Sequence, residues 1–292
     1  MTKRITSFFA LTTFVFAVCG SASAADIAVK APAPAPAPVF NWTGWYVGVN
    51  AGASFGHVTT DFNVAPVTVT TLAGPAITTP GVAGSDITYP GGFIGGGQIG
   101  YNWQYSPLIV VGLEADFQGA LERDSNIVTS NFTGFAAPLS VTGSAVLDYQ
   151  TKIEWFGTVR GRIGYVWGNG NLLSYVTGGL AYGRVDLDGT STVRGGVSSG
   201  GPSTPFSISH AIGHSQVNTG WVVGYGTEGV INFWGARNWT WKIEGLYVDL
   251  GHLDDTDAIV GPTITSVTGG QTFTHSHFTD GILRAGLNYK FN

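Results

Sequence analysis

Five acidic and five basic side chains lie on or beside stretches of this sequence whose alternating pattern predicts β-strands. They are Glu114, Asp116, Glu154, Glu228 and Glu244, together with Lys152, Arg160, Arg162, Lys242 and Arg284. The charged residues occupy the face opposite to the apolar one. Two arginines as close as Arg160 and Arg162 could bind an anion or assist catalysis. Because acids and bases are equal in number, we instead expect an ion-pair network, since buried charges are tolerated when they are paired.

The stretch over residues 153–167 shows the alternation best. Its apolar residues recur with a period of two, which predicts a β-strand with one apolar face. The two arginines and the glutamate within it exclude a membrane-spanning helix. We expect Ile153, Trp155, Val159, Ile163 and Tyr165 to face lipid, Glu154, Arg160 and Arg162 to face a lumen, and Trp167 to lie at the periplasmic interface.

The same alternation predicts eight strands. They cover residues 41–55, 93–103, 109–118, 153–167, 172–184, 220–231, 239–250 and 277–291. Four long polar segments and three short turns connect them in strict alternation, so that all long segments fall at one end. This asymmetry is typical of outer-membrane barrels. We therefore predict an all-β fold, an eight-stranded antiparallel up-and-down transmembrane β-barrel with long extracellular loops and short periplasmic turns.

Composition favours this barrel over a soluble β-sandwich. Charged residues make up only 11% of the sequence, which contains 44 glycines and 13% aromatic residues. A water-facing exterior needs more charge, since soluble domains contain about 25% charged residues. Glycine and small side chains dominate the face opposite to the apolar one, as a narrow lumen requires. The net charge of −5 gives no support for nucleic-acid binding, which needs a basic face.

The N-terminal residues predict an export signal. Lys3 and Arg4 precede a short apolar run that ends near Ala22-Ser23-Ala24, a typical cleavage site. We expect a cleaved signal peptide over residues 1–24, an Ala-Pro-rich periplasmic linker over residues 25–40 and a barrel domain over residues 41–292. A spacer is the preferred interpretation of the linker, and a contact with the cell wall is the alternative.

Aromatic residues recur near the short-turn ends of the predicted strands. Trp103, Trp167, Trp239, Trp241 and Tyr289 would lie at one level of a barrel. Membrane barrels place such an aromatic girdle at the interface between lipid and water. A soluble sandwich has no reason to align these residues, so the pattern again favours a membrane barrel.

Only a few residues suggest metal or enzyme chemistry. His210 with His214, and His275 with His277, have spacings that could bind a metal, and Asp254, Asp255 and Asp257 could hold a divalent cation weakly. None of these three sets is complete, so polar loop residues are the preferred interpretation. The position of Ser276 between two histidines suggests a lipase or a deacylase as an alternative function, but no nucleophile motif stands out in the sequence. We predict no catalytic residue, no metal and no cofactor.

Five short motifs are distributed along the predicted barrel. They are residues 42–48 (WTGWYVG), 112–118 (GLEADFQ), 177–183 (TGGLAYG), 246–251 (LYVDLG) and 288–291 (NYKF). As a set they resemble the small outer-membrane immunogenic and porin-like β-barrel proteins of alphaproteobacteria. The resemblance implies an abundant, surface-exposed barrel of eight strands. It also implies that the assembly machinery recognises a final aromatic residue, and because this chain ends in Asn292, Phe291 would serve as the insertion signal.

These observations together predict an integral protein of a Gram-negative outer membrane with a structural or surface-interaction role. Its expected partners are outer-membrane lipid and lipopolysaccharide, and the barrel-assembly machinery. A narrow porin for ions or small solutes is the first alternative, because the same charged residues could line an ion path. An outer-membrane lipid-modifying enzyme is the second alternative.

Overall fold

The computed structural model describes residues 39–64, 66–70, 77–78, 81–233, 236–258, 266–269 and 271–291. Eight long strands dominate them: β1 Gly44–Val64, β2 Gly91–Ser106, β3 Ile109–Ala136, β4 Leu139–Trp167, β5 Leu172–Ser198, β6 Thr204–Phe233, β7 Ala236–Ala258 and β8 Gln271–Lys290. Four short strands, Val67–Thr70, Ile77–Thr78, Val82–Thr88 and Ser266–Gly269, accompany them. The predicted signal peptide and nearly all of the predicted linker lie outside the described residues.

None of the described residues belongs to a helix that is long and apolar enough to cross a membrane.

The eight long strands form a ring. Each pairs antiparallel with the next in sequence, and β8 pairs with β1 from Tyr46 opposite Lys290 to Val64 opposite Thr272. Since every ladder is antiparallel and every neighbour is consecutive, the predicted all-β, up-and-down order of eight strands is confirmed. The short connections over residues 107–108 and 168–171 lie at one end of the ring, which we call the short-turn end. The opposite end is the far end.

The strands extend much further towards the far end than the sequence analysis predicted. The polar segment between the third and fourth predicted strands was expected to be a loop. Instead, β3 runs to Ala136 and β4 starts at Leu139, so only Ala137 and Pro138 connect them. Similarly, only residues 199–203 separate β5 from β6. The prediction of long irregular segments is therefore wrong for these two hairpins, whose Thr- and Ser-rich sequences continue the ladder.

Three β-bulges interrupt the ladders between the two ends. They lie between Gly119 and Glu122 where β3 pairs with β4, between Ile153 and Trp155 where β4 pairs with β5, and between Asp249 and Gly251 where β7 pairs with β8. A bulge adds one residue to one strand and reverses which positions face inward beyond it. β4 and β7 change their inward-facing set at this level, whereas β3 keeps its even-numbered residues inward, as the buried Gln118, Ala120 and Glu122 show.

The bulge in β4 overturns two predictions. Ile153, expected on the outer face, is only 4% exposed and packs in the interior with Tyr149 and Phe156. Glu154, expected in the lumen, has a side chain that is 50% exposed. The physical reason is that Glu154 is the extra residue: Ile153 pairs with Val185 and Trp155 with Arg184, which leaves no partner for Glu154 on β5.

The interior is divided into three layers along the ring axis. At the short-turn end lies the basal cluster of Phe40, Trp42, Val110, Val166, Leu173 and Tyr175. Buried charged side chains follow in the middle. Towards the far end lies the apolar layer of Val58, Ile94, Ala120, Tyr149, Ile153, Phe156, Ala181, Val185, Leu187, Val222, Leu246, Val248, Leu250, Leu253, Phe278 and Ile282. The interior is therefore apolar at the short-turn end, charged in the middle and mostly apolar towards the far end, where the carboxyl groups of Glu122 and Asp280 are also buried.

Candidate functional site

Eight charged side chains meet in the middle layer, and we call them the ion-pair network. They are Glu114, Asp116, Glu228 and Glu244 with Arg160, Arg162, Lys242 and Arg284, and all are buried. The β-strand period of two places them there, because each sits on an inward-facing position of β3, β4, β6, β7 or β8. Four carboxylates face four cations, so the formal charges of the network sum to zero.

Glu114 is the centre of the network. Its Oε1 accepts hydrogen bonds from Arg160 Nη2 at 2.5 Å and from Lys242 Nζ at 2.9 Å, and its Oε2 accepts one from the Tyr46 hydroxyl at 2.7 Å. Arg162 Nη1 lies 3.5 Å from the same oxygen. In the ring, β3 and β7 stand on opposite sides with three strands between them on either path. The contact between Glu114 and Lys242 therefore spans the whole lumen.

Asp116 and Glu244 connect the remaining cations. Arg284 Nη2 lies 2.7 Å from both Asp116 Oδ2 and Glu244 Oε2. Arg160 adds contacts of 3.0 Å to Asp116 and to Glu244. Each arginine therefore contacts more than one carboxylate, which offsets the cost of removing its charge from water through several charge-assisted hydrogen bonds.

Arg162 is held between two tyrosine rings. Its guanidinium carbon lies 4.7 Å from the ring centroid of Tyr46 and 5.0 Å from that of Tyr175. Its Nε and Nη2 both donate to Asn102 Oδ1, at 2.9 and 2.7 Å, and its Nη1 donates to Glu228. Cation–π contacts and hydrogen bonds together fix a planar guanidinium in one position. Tyr46 and Tyr175, which the sequence analysis did not select, thus complete the network.

Polar side chains from the remaining strands surround the charges. Asn288 Nδ2 and Thr240 Oγ1 donate to Glu228 Oε1, and Gln98 donates to Asn288. With these residues, every one of the eight long strands contributes a side chain. The uncharged partners lie on inward positions like the ions, but amides and hydroxyls are common on strands, so sequence alone gives no signal for them.

Two of the ten predicted charged residues are absent from the network. Lys152 Nζ binds Asp188 at 3.0 Å, where the two side chains are 27% and 56% exposed. Glu154 lies near Arg184 on the outer surface. Both residues lie at the bulge in β4 or beyond it towards the far end, which removes them from the level of the network. The prediction that they belong to the lumenal set is therefore wrong.

The N-terminal residues of the described chain cover the short-turn end. Trp42 is 1% exposed, its indole nitrogen donates to the carbonyl of Gly170 at 3.1 Å, and its backbone N–H donates to Gln104. Phe40 packs edge-on against its ring with the centroids 4.8 Å apart. The predicted linker, residues 25–40, includes Phe40. In the structure, Phe40 and Trp42 lie within the basal cluster beneath the ion-pair network.

The outer face between the two ends is apolar. Its exposed large side chains include Leu113, Ile163, Val176, Leu180, Ile243 and Leu283. A shallow groove of about 560 Å³ lies over Gly161 and Gly178, where side chains are missing, and Trp103 and Leu113 line its sides. A water-exposed surface this apolar is unfavourable, so the outer face needs an apolar environment.

The five aromatic residues predicted to form a girdle all lie towards the short-turn end. Trp103, Trp167 and Trp239 are exposed, Trp241 and Tyr289 are partly exposed, and the rings of Trp239 and Tyr289 are in contact at 5.2 Å. Phe291 packs against Tyr289, and its N–H donates to the carbonyl of Trp45 at 2.9 Å. The membrane-interface role of the five girdle residues and the role of Phe291 as insertion signal stay predictions.

A second set of aromatic residues, which the sequence analysis missed, lies near the level of the bulges. Phe117 stacks on Trp155 at 5.4 Å, Trp155 contacts Tyr182 at 6.2 Å, and Trp221 contacts Tyr247 at 5.6 Å. We call these five residues the upper aromatic row. A signal was present, because Trp155 lies an even number of residues from Trp167 on the same strand. The apolar outer face is therefore bordered by aromatic residues on both sides.

The structure turns Ser276 and His277 to opposite faces of β8, but it leaves the predicted metal pair His275 and His277 together. Ser276 is 1% exposed and its hydroxyl faces Thr60 Oγ1 at 3.0 Å inside the ring. His277 points to the outer face and contacts Asp249, so the two residues do not form a nucleophile–base pair. His275 and His277 lie beside His252, whereas His214 lies on β6. The side chains of His210, Asp255 and Asp257 lie outside the described part of the chain.

Comparison with known proteins agrees with this arrangement. Residues 12–291 match the family model described as the outer membrane protein beta-barrel domain. The chain is 38% identical over 279 residues to the 31 kDa outer-membrane immunogenic protein of Brucella melitensis biotype 1, covering 93% of this chain and 94% of that protein. It has the same identity and coverage against the protein of that name from Brucella suis biovar 1.

Among solved structures, the chain is similar to Ail, the attachment invasion locus protein of Yersinia pestis. The sequences are 13% identical, the match covers 82% of this chain and 99% of Ail, and the TM-score is 0.27. At this TM-score the likeness carries no functional inference. The family match and the Brucella relatives decide the assignment: the chain belongs to the outer membrane protein β-barrel domain family, as its motifs predicted, and it is an outer-membrane protein.

Proposed function

We propose that this protein is a closed outer-membrane barrel that acts as a structural and surface-interacting component of the envelope and does not conduct ions or solutes. The observation that carries the proposal is the contact across the lumen, where Lys242 on β7 donates to Glu114 on β3 at 2.9 Å. An eight-stranded barrel has an interior only wide enough for side chains to fill. A network that joins opposite walls supports a closed lumen.

The two neighbouring layers support the same proposal. Below the network, the basal cluster places Trp42 across the short-turn end. Above it, the apolar layer contains Phe156, Leu246 and Ile282, none more than 4% exposed. An ion crossing the barrel would have to separate buried ion pairs. It would then have to lose its bound water within a mostly apolar layer. Each step carries a large desolvation cost.

We further propose that the short-turn end faces the periplasm and the far end faces outward. An exported chain with an even number of strands has both ends on the periplasmic side, and membrane barrels have short periplasmic turns. The long far-end hairpins of β3 with β4 and of β5 with β6 would then stand above the membrane. They would present the surface that contacts external partners, as suits a relative of a protein named immunogenic.

The partners we propose follow from this orientation. Outer-membrane lipid and lipopolysaccharide would surround the apolar outer face, with acyl chains filling the groove over Gly161 and Gly178. The barrel-assembly machinery would recognise the C-terminal aromatic residue, Phe291. We also propose, from the sequence alone, that the predicted linker contacts the cell wall. A non-enzymatic role agrees with the name of the Brucella relatives, and Ser276 and His277 face opposite sides of β8.

A narrow porin is the second candidate, because some polar groups in the interior have no protein partner. Both side-chain polar atoms of Gln118 and the hydroxyls of Thr151 and Thr158 are buried without a hydrogen bond to the described chain. Water bound along the wall would satisfy them. A continuous file of such water through the network would give a path for small ions.

Conductance of the folded protein in planar lipid bilayers tests the two candidates. The purified chain should first show a heat-modifiable shift on gels, which identifies the folded barrel. We expect no reproducible unitary steps from this species, and the same preparation after boiling serves as the control for background leakage. Uniform steps that appear only with the heat-modifiable species would overturn the closed-barrel proposal and establish the porin.

A further inference from the structure

Three histidines are stacked on the outer face where β7 pairs with β8. The ring of His252 lies 4.4 Å from that of His277 with 13° between their planes, and 4.6 Å from that of His275 with 23° between them. His252 and His277 are directly opposite each other in the ladder. We call these three residues the histidine cluster. The spacing in the sequence pairs His275 with His277 but gives no sign of their contact with His252.

The bulge in β7 creates the cluster. Up to Leu250 the even-numbered residues of β7 face inward, and Leu246, Val248 and Leu250 are buried in the apolar layer. Beyond the bulge, Leu253 is buried and His252 is exposed. Without the extra residue, the alternation would turn His252 and Asp254 into the lumen and Leu253 outward. Bulges commonly re-aim a side chain at a functional position.

Two carboxylates orient the histidine rings. Asp254 Oδ1 lies 2.5 Å from Nδ1 of His275, and Asp249 Oδ1 lies 3.1 Å from Nε2 of His277. A carboxylate bound to one ring nitrogen fixes the tautomer and leaves the other nitrogen free to bind a metal, which is the usual arrangement around histidine ligands. Asp249 is held in turn by the N–H of Gly251 at 2.8 Å.

We propose that His252, His275 and His277 bind one zinc ion on the outer face of the barrel. Three imidazoles are a common zinc ligand set, with a fourth position taken by water or a carboxylate. As the structure stands, no group of three or more His, Cys, Asp or Glu side chains among the described residues is placed to hold a metal ion, so the site would form by rotation of the three imidazoles. Two nitrogens bound to the same zinc lie about 3.4 Å apart for tetrahedral bonds of about 2.1 Å. The rings of His252 and His277 are nearly parallel, so their nitrogens do not converge in this structure, and metal binding would require all three side chains to change rotamer.

The position of the histidine cluster allows a metal ion to reach it from water. Tyr247 of the upper aromatic row precedes His252 on β7, so the cluster lies on the far-end side of the apolar outer face. The side chains of His275 and His277 are 51% and 38% exposed. Metal binding here would join β7 to β8 through side chains, in addition to their backbone ladder.

Zinc titration of the folded barrel tests the proposal. The protein must carry no polyhistidine tag and is refolded in detergent, and binding is measured by competition with a chromophoric chelator. We expect one equivalent of zinc per chain, and an affinity at least tenfold lower for the His252→Ala/His277→Ala variant. Asp254→Asn should weaken binding by roughly tenfold because it removes an orienting carboxylate.

His57→Ala is the matched control, because His57 is also exposed but lies on β1 and contacts Tyr89. It should bind zinc as the unaltered protein does. All variants should keep the heat-modifiable shift, so that a loss of binding does not reflect misfolding. Equal zinc binding by the double variant and the unaltered protein, absence of saturable binding, or half an equivalent per chain would each overturn the single-chain site.

Discussion

The middle of the barrel interior and its far-end part are built from largely different kinds of residue. In the middle the interior holds the ion-pair network, while the outer face carries exposed apolar residues such as Leu113, which is 67% exposed. Towards the far end the interior holds the apolar layer, in which Leu253 is 1% exposed. The same strands run through both parts. A single β-strand therefore changes the chemistry of its inner face partway along its length.

The difference is what we expect if lipid surrounds the barrel between the two sets of outer aromatic residues and water surrounds its far end. Where lipid surrounds the barrel, apolar side chains are stabilised on the outer face and the lumen is free to hold paired charges. Where water surrounds it, the only place to bury apolar surface is the interior, as in a soluble protein. The upper aromatic row and the three bulges lie near the level where one arrangement replaces the other.

Deletion of Glu154 should impair folding more than any of the substitutions that follow, because it alters how β4 contributes to both parts of the interior. The deletion removes the bulge, so that the apolar residues of β4 beyond it would face outward and its polar residues would face the apolar layer. We expect no heat-modifiable species after refolding. Deletion of Gly201, an exposed residue in the connection between β5 and β6, is the control and should refold. Normal refolding of the Glu154 deletion variant would show that folding does not require the change in which residues of β4 face inward.

Glu114→Gln should produce the next largest loss, because it leaves Arg160 and Lys242 short of countercharge in the lumen. Removing one partner of a buried ion pair costs about 3–5 kcal/mol of unfolding free energy. Urea unfolding in lipid vesicles, followed by tryptophan fluorescence, measures it. Glu154→Gln is the matched control: its partly exposed contact with Arg184 should contribute less than about 1 kcal/mol. Equal losses in the two variants would contradict the assignment of Glu114 as the centre of the network.

Ile153→Ala tests the apolar layer and should have a somewhat smaller effect. Removing a buried isoleucine side chain costs about 2–5 kcal/mol, because a cavity remains. Ile163→Ala on the same strand should cost less, since Ile163 is 54% exposed on the outer face and lipid fills the space. The same urea unfolding compares them. A larger loss for Ile163 would mean that Ile153 faces lipid, as the alternation in the sequence first suggested.

The sequence alone predicted much of the barrel. The period of two gave the number of strands, their up-and-down order and eight of the ten charged residues placed in the lumen. This succeeded because lipid outside and charge inside produce a strong alternation, for example over residues 109–118 of β3. The apolar, aromatic-rich face of residues 153–167 was likewise assigned correctly from Trp155 to Trp167.

The errors have two physical causes. A bulge leaves no local mark in the sequence, since an extra residue such as Glu154 is recognised only by its missing partner on β5. Above the bulges the strands are rich in Thr, Ser and Gly, so the contrast between the two faces is weak and the segments resembled loops. The uncharged members of the network, such as Tyr46 and Asn102, were missed because their role depends on contacts between strands distant in sequence.

The pairing of β1 with β8 has a consequence for the order of assembly. It joins the first and last strands of the chain, so the cylinder is sealed only after the C-terminal strand has been synthesised and exported. Until then the partial sheet has two open edges that are prone to pair with other chains. Such a seam between distant segments also forms slowly. The time between export and sealing is therefore when this chain most needs a chaperone.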